Sequence, residues 1–255
     1  MRKILFLTIL FAGCLQSFVD IDELNRQHDG KLLISQEQVN GLYQLMKDVH
    51  DLFALYNIEY WIQGGTLVGA ERHKGLMQWD DDFDINVNIK DFPTIFRLEP
   101  ILKFLGYRIL IYPNFMLKIG TWSQNGCWID IFPTCYKEDE TTYLNHSWQR
   151  DGKDLYLYDN ELYPLRKYQF GELQLWGPQD FHSYLKCGFG ENYMEEVVLY
   201  NHRLPEQHFY CNFDDLPMEF KEPALPSAGL VDRVGGLHLE KSLPNKDFQL
   251  IIVTY

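Results

Sequence analysis

Hydrophobic and polar positions repeat with a helical period in some parts of the chain and with a period of two in others. Between Ser35 and Leu55 the apolar residues recur at helical spacing, and Ser35 with Gln38 can form a capping box. The pattern therefore predicts one amphipathic helix here. A second helix is expected over 91–105, where Pro100 can introduce a kink.

Runs of alternating or continuous apolar residues predict several short strands. These runs lie at 60–63, 83–89, 107–111, 116–120 and 128–133, and a hairpin is expected over 170–178. Short helices are predicted at 67–73 and from Pro178 to Gly188. Together these elements indicate an α+β fold, with a mixed or antiparallel sheet flanked by helices.

Four carboxylates crowd into the five positions from Asp80 to Asp84. Successive side chains of a strand point to opposite faces, so Asp82 and Asp84 share one face while Phe83 and Ile85 anchor the other. Two neighbouring carboxylates repel each other unless a cation lies between them, and oxygen ligands on a rigid element suit Mg²⁺ or Mn²⁺. The alternative is a solvated acidic turn that leads into a surface strand.

A pair of glycines directly follows the strand predicted at 60–63. Gly64 and Gly65 allow the backbone to approach a ligand closely, and a helix that begins there presents free N–H groups to phosphate. We therefore expect Gly64, Gly65 and Thr66 to bind phosphate. A strand, a glycine turn, a helix and a second strand with Asp-x-Asp form the arrangement of a nucleotidyltransferase-type palm.

A further aspartate, Asp130, lies in the apolar run 128–133. On so apolar a strand its carboxylate would be desolvated unless it were paired or bound to a metal. One interpretation makes Asp130 a third metal ligand beside Asp82 and Asp84. The alternative is a core aspartate that accepts hydrogen bonds from the backbone.

Three basic residues, Arg72, His73 and Lys74, end the helix predicted at 67–73. They can complement the dipole at a helix C-terminus, or they can contact a diphosphate. Of the three, Arg72 suits phosphate best, because its planar guanidinium can donate two parallel hydrogen bonds.

The stretch from Gly65 to Ile85, GTLVGAERHKGLMQWDDDFDI, resembles the signature of the LicD family. That family includes bacterial phosphocholine transferases and the animal fukutin and fukutin-related proteins. Gln78 stands where the family usually has proline. The resemblance implies a nucleotidyltransferase-like palm over 35–212, and a Phe-Pro pair after Asp130 extends the likeness to the second acidic strand.

The same resemblance implies a reaction. A phospho-alcohol, such as phosphocholine or ribitol phosphate, would pass from a CDP-linked donor to the hydroxyl of a glycan or glycoprotein. Mg²⁺ or Mn²⁺ would lie on Asp82 and Asp84, and Asp130 would complete the metal site or accept the proton of the hydroxyl.

Two other functions stay open from the sequence. A catalytically silent relative could bind a glycan or a partner protein, although the complete set of three acids argues against that loss of activity. A nucleotide-adding nucleotidyltransferase shares the same palm and metal ligands. A secretory N-terminus argues against it, because such enzymes usually act inside the cell.

Composition and termini narrow the cellular setting. The chain has 255 residues, a formal net charge of −13 and a pI of about 5.0, which argues against a nucleic-acid partner. Residues 1–17 combine a basic start with a short apolar run, as in a signal peptide or a short signal-anchor. We therefore expect the ER or Golgi lumen or secretion, with membrane contact only through this segment.

The remaining expectations concern modification and the ends of the domain. Removal of the signal leaves four cysteines, which permit two disulfides, and Asn145 is an N-glycosylation candidate. Residues 18–34 are expected to be a loose stem, and 213–255 an extension that is extended or partly disordered.

Overall fold

A computed structural model describes most of the chain. The described residues are 19–112, 115–122, 126–137, 140–143, 157–204 and 207–237. The expected signal segment at 1–17 and the glycosylation candidate Asn145 lie outside them. Among the described residues, no helix combines enough length and hydrophobicity to cross a membrane.

Short helices surround one long helix. The helices are α1 (Ile21–Gln27), α2 (Gln36–Leu55), α3 (Gly64–Val68), α4 (Phe92–Arg97), α5 (Glu99–Phe104), α6 (Asp159–Leu162), α7 (His182–Phe189) and α8 (Met218–Lys221). A π-helical turn, Gly69–His73, continues α3. The strands are β1 (Tyr60–Ile62), β2 (Asp82–Asn88), β3 (Arg108–Ile111), β4 (Leu117–Gly120), β5 (Trp128–Lys137), β6 (Glu140–Tyr143), β7 (Leu157–Tyr158), β8 (Arg166–Phe170), β9 (Leu173–Gly177), β10 (Glu196–Leu199) and β11 (Phe209–Asn212).

Strands β1 to β7 form one mixed sheet, in which β1, β2, β5, β4 and β3 are neighbours in that order. The β2–β5 pair is parallel and the other pairs are antiparallel, while β6 and β7 extend the sheet beside the C-terminal half of β5. Two hairpins, β8–β9 and β10–β11, form separate sheets. With helices around this sheet, the predicted α+β class is confirmed.

One face of the sheet is apolar and packs against α2. The predicted capping box starts α2, because the Ser35 hydroxyl accepts from the Gln38 N–H and the Gln38 side chain accepts from the Ser35 N–H. On the same helix, Tyr43 meets Phe83 of β2 edge to face. The sheet contributes these buried side chains to the shared core: Phe83, Ile85, Ile119, Ile129 and Ile131.

The opposite face carries charge, and we call it the polar face. Side chains that are directly opposite each other on neighbouring strands point to the same side. Asp84 on β2, Asp130 on β5 and Lys118 on β4 are such neighbours in one row. Asp82 and Arg108 lie in the adjacent row, so the carboxylates occupy β2 and β5 while the cations occupy β4 and β3.

Part of the segment expected to be a loose stem is helical, so that expectation is wrong for Ile21–Gln27. Asp20 caps α1 by accepting from the Glu23 N–H, and Ile21 is fully buried. Asn25 then accepts from the backbone N–H groups of the two residues at 32–33. One buried side chain and one capping residue are weak signals of a helix in so polar a sequence, so the sequence did not predict α1.

Two other predicted elements take a more specific form. The helix expected over 91–105 divides into α4 and α5 at Leu98, two residues before Pro100. The C-terminal extension begins with a 3-10 turn (Phe213–Asp215) and α8, so it is not extended throughout, and its part from 225 to 231 packs along α2. There Gln44 exchanges two hydrogen bonds with the backbone of Val231.

Cysteine pairing is the last structural expectation. All four cysteines after the signal segment lie in the described residues and are free: Cys127, Cys135, Cys187 and Cys211. The two disulfides that the even number permitted are therefore not formed in this structure.

Candidate active site

Three carboxylates converge on the polar face of the sheet. Asp82 and Asp84 project from β2, and Asp130 lies directly opposite Asp84 on β5. One carboxylate oxygen from each residue lies within 4.8 Å of those from the other two. Asp82 and Asp130 are nearly buried, with 6% and 5% of their surface exposed. The structure thus brings together the acids singled out in the sequence, and their role in catalysis stays a prediction.

The glycine turn packs against these carboxylates. Gly64 has a φ of +54°, and a Cβ there would lie 2.6 Å from Asp84 Oδ2. A Cβ on Gly65 would lie 3.0 Å from Asp80 Oδ2. The Thr66 hydroxyl accepts from the Asp84 N–H at 2.8 Å and so ties the turn to β2. The turn therefore positions the acids, while its expected contact with phosphate stays a prediction.

Lys118 is a member of the site that the sequence analysis did not identify. Its Nζ lies 2.8 Å from Asp130 Oδ2, across the β4–β5 register. Asp130 Oδ1 is buried and has no hydrogen-bond partner among the described residues. The only signal in the sequence was a single lysine between the apolar residues Leu117 and Ile119.

The unpartnered oxygen and its neighbours fit a divalent cation. Burial, followed by repulsion from Asp130, raises the pKa of Asp82 to about 7. Burial and the neighbouring carboxylates also raise the pKa of Asp84 and the pKa of Asp80 well above the usual value of an aspartate. A cation among these groups would remove the repulsion and give Asp130 Oδ1 a partner, and carboxylate oxygens are the ligands that Mg²⁺ and Mn²⁺ prefer.

His202 lies at the edge of this cluster. Its Nδ1 is 3.1 Å from Asp81 Oδ1 and 3.6 Å from Asp82 Oδ2. The hydrogen bond to Asp81 raises the pKa of His202 to about 9 despite partial burial. Burial by itself would raise the pKa of Asp81, but the hydrogen bonds from His202 outweigh it and lower that pKa. No local signal in the sequence marks this histidine, and only the fold places it beside the carboxylates.

Arg72 is engaged in several contacts within the fold. Its Nη1 donates to the backbone carbonyls of Tyr193, at 3.1 Å, and Glu196, at 2.8 Å. Its Nη2 donates to the sulfur of Met77, and the guanidinium also lies against the ring of Phe213. These contacts join the π-helical turn to the β10–β11 region and commit the guanidinium to the fold. They argue against the expected diphosphate contact, which stays a prediction.

The two residues after Arg72 differ in their surroundings, and their expected contact with phosphate stays a prediction. His73 is 3% exposed and meets the rings of Trp79 and Phe213 edge to face. Burial, together with the charge of Arg72, lowers the pKa of His73 to about 3, so its ring is neutral. Lys74 is exposed and lies 3.6 Å from Glu71.

Comparison with known proteins identifies the family to which this site belongs. The family model "LicD/FKTN/FKRP, nucleotidyltransferase domain" matches residues 57–180, a range that includes all three acids. An uncharacterized protein of Rickettsia prowazekii is 33% identical over 91% of this chain and 86% of its own length.

Two further relatives carry named activities. The lipopolysaccharide cholinephosphotransferase LicD of Haemophilus influenzae is 39% identical over 24% of this chain and 23% of its own length. The mouse ribitol 5-phosphate transferase FKRP is 22% identical over 54% of this chain and 29% of its own length. The chain thus spans under a third of either relative. With the family match and the Rickettsia relative taken together, the chain belongs to the LicD/FKTN/FKRP family.

Proposed function

We propose that this protein transfers a phospho-alcohol, such as phosphocholine or ribitol phosphate, from a CDP-linked donor to a glycan hydroxyl. The reaction would depend on Mg²⁺ or Mn²⁺. The named relatives are a cholinephosphotransferase and a ribitol 5-phosphate transferase, which supports the kind of group transferred. Export through the segment at 1–17 stays part of the same proposal.

The observation that carries the proposal is the crowding of three carboxylates around an oxygen without a partner. Asp82, Asp84 and Asp130 lie close enough to bind one ion, and Asp130 Oδ1 lacks a hydrogen bond among the described residues. Such an arrangement is costly in a protein without a cation, since like charges at short range disfavour ionisation. An acidic turn with a purely structural role would not require three carboxylates so close together.

The residues of the chain have separable tasks in this reaction. Asp82, Asp84 and Asp130 would hold the ion, which when bound neutralises the negative charge of the donor diphosphate. Lys118 fixes Asp130 through Oδ2 and leaves Oδ1 available. Gly64 leaves room for the Asp84 carboxylate, because any Cβ there would overlap it.

The transfer itself is a substitution at phosphorus. The glycan hydroxyl oxygen forms a new bond to the phosphorus that carries the alcohol, and the bond from that phosphorus to the CMP oxygen breaks. CMP leaves with the electron pair, the product is a phosphodiester, and the hydroxyl proton ends in solvent. Positioning and charge neutralisation account for most catalysis of this kind.

The direct test is CMP release from CDP-choline and CDP-ribitol by the full chain, with Mg²⁺ and a panel of glycan acceptors. Asp84→Asn should abolish acceptor-dependent release while the protein stays folded. The matched control is Asp214→Asn, which changes the same group at an exposed position. Release that survives Asp84→Asn, or donors that remain intact with every acceptor, would refute the proposal, and the second result would favour a silent relative.

A further inference from the structure

A turn at 201–204 brings a second surface up to the carboxylates. In this turn His202 lies against Asp81 and Asp82. Its neighbour Asn201 is 1% exposed, and the Asn201 Nδ2 donates to two backbone carbonyls in the segment after α1. The residues that lead into the turn are therefore held at a fixed position beside the acidic cluster.

The β10–β11 hairpin leads into this turn and leaves one of its faces exposed. Leu199 is fully buried, whereas Val198 is 38% exposed and Tyr210, directly opposite Val198, is 72% exposed. Tyr200 and His208 are the next residues beyond the paired positions, and the alternation of a strand places them on the same face as that exposed pair. The hairpin thus buries one side and presents aromatic side chains on the other.

The exposed rings contact one another in a series that begins at the acidic cluster. The ring of His202 lies 5.7 Å from the ring of Tyr200, which lies 4.7 Å from the ring of His208. The ring of His208 in turn lies 6.3 Å from the ring of Tyr210. We call Tyr200, His208 and Tyr210 the aromatic strip. It forms a continuous surface from the carboxylates to the exposed side of the hairpin.

Contacts behind the hairpin hold the aromatic strip in place. Arg72 donates to the backbone carbonyls of Tyr193 and Glu196 at the start of β10. On the inner side of β11, the ring of Phe209 lies 5.0 Å from the ring of His28. A ligand of the aromatic strip therefore binds to a surface that is already ordered, which lowers the cost of binding.

The outer face of the hairpin suits an uncharged ligand that has both polar and apolar surface. This face consists of Glu196, Val198, Tyr200, His208, Tyr210 and Asn212. None of these residues is a lysine or an arginine, the side chains that bind phosphate and carboxylate best. Tyrosine and histidine combine an apolar ring face with an edge that makes hydrogen bonds. A sugar ring offers the complementary surfaces, C–H groups on its face and hydroxyls around its rim.

The position of the aromatic strip also suits the acceptor in the proposed transfer. One hydroxyl of the acceptor has to reach the carboxylate cluster, while the rest of the acceptor must extend away from it. The series of rings begins at His202, whose Nδ1 lies 3.6 Å from Asp82 Oδ2, and it ends at the exposed Tyr210. A glycan that lies along these rings would therefore bring its end to the carboxylates.

We propose that the aromatic strip binds uncharged sugar units of the glycan acceptor. This inference rests on the proposed function for the reaction that the acceptor undergoes. The binding itself requires neither the donor nor a metal ion, because Tyr200, His208 and Tyr210 are not candidate ligands. It can therefore be measured when both are absent.

The test is an array of neutral oligosaccharides, anionic oligosaccharides and peptides, probed with the full chain in EDTA without a donor. Calorimetry then measures the affinity for the neutral oligosaccharides that are retained. Tyr210→Ala should weaken this affinity by about 3- to 10-fold, the loss expected for one aromatic contact. Tyr210→Phe keeps the ring and should keep most of the affinity. The matched control is Phe104→Ala, which removes a 76% exposed ring from α5.

The three variants decide whether the aromatic strip binds sugar. Affinity that falls in Tyr210→Ala but not in Tyr210→Phe or Phe104→Ala supports the proposal. Affinity that Tyr210→Ala leaves unchanged overturns it. An array on which only anionic oligosaccharides, only peptides or no probes are retained overturns it as well.

CMP release separates this inference from the proposed function. If sugar binding weakens in Tyr210→Ala as expected but the wild type releases no CMP from any donor, the aromatic strip stands as a carbohydrate site and the transfer fails. If CMP is released and the KM of the acceptor is the same in Tyr210→Ala as in the wild type, the transfer stands and the aromatic strip is not its acceptor site.

Discussion

Asp82→Asn should make the metal-free protein more stable at neutral and alkaline pH. Asp82 is nearly buried and faces Asp130, so an uncharged side chain of the same shape relieves repulsion that the wild type tolerates. The same change should remove the metal response, because it takes away a ligand. Stability without the ion and binding of the ion are therefore expected to change in opposite directions.

The pKa of Asp82 gives the size of this effect. Its folded value is about 7 against an ordinary value of 3.8, roughly three units, and each unit corresponds to about 1.36 kcal/mol. The folded state therefore binds more protons than the unfolded state between these two values. Stability is fully present below about pH 4 and falls as the pH rises toward about 7. The upper limit is about 4 kcal/mol, and half of it, about 2 kcal/mol, would shift Tm by about 4–8 °C in a chain of this size.

Thermal and urea unfolding in EDTA at about pH 5 and pH 8 measures the effect. The wild type should lose stability between the two values, Asp82→Asn should lose less, and the exposed control Asp214→Asn should follow the wild type. Excess Mg²⁺ at the higher pH should then raise the Tm of the wild type but not the Tm of Asp82→Asn. A wild type whose stability does not fall with pH, or a variant no more stable than it in EDTA, would show that the carboxylates are not crowded as described.

Three other substitutions test separate parts of the site. Gly64→Ala should weaken the Mg²⁺-induced rise in Tm, because the new Cβ displaces the Asp84 carboxylate. A side chain at this positive φ should also lower stability by about 1–2 kcal/mol. An unchanged Mg²⁺ titration would contradict this prediction. Lys118→Met should lower stability by about 2–4 kcal/mol at pH 8 and by less at pH 5, because burial raises the pKa of Asp130 and a protonated carboxyl does not need the lysine; urea unfolding at both pH values measures the difference. Arg72→Ala should lower stability by about 2–3 kcal/mol through its lost carbonyl contacts, while donor KM stays unchanged, and a raised KM would return it to the site.

Local patterns were sufficient for most of the fold. The capping box and apolar stripe of α2, the alternation in β2 and the antiparallel pairing of β3 with β4 each depend on neighbours in sequence. The stem was misjudged because α1 is held by contacts distant in sequence, such as the Val19 N–H with the carbonyl of Asp215. Periodicity contains no information about such contacts.

The site was predictable only where its chemistry is local. Asp82 and Asp84 are two residues apart, so the period of a strand already places them together. Arg72 was expected to contact a diphosphate because its planar guanidinium can donate two parallel hydrogen bonds. Its actual partners are the backbone carbonyls of Tyr193 and Glu196, more than a hundred residues away, and no local signal predicts that engagement.

The cations of the polar face depend on strand register, and the core sets that register. Leu117 and Ile119 on β4 are fully buried against the apolar side of the sheet, so Lys118 between them must face the carboxylates. A slip of one residue would bury the lysine and expose both apolar side chains. The loss of buried apolar surface makes that register strongly unfavourable. The same alternation on β3 keeps Ile109 in the core and turns Arg108 to the polar face. The charge balance of the candidate active site is thus fixed by hydrophobic packing on the other side of the sheet.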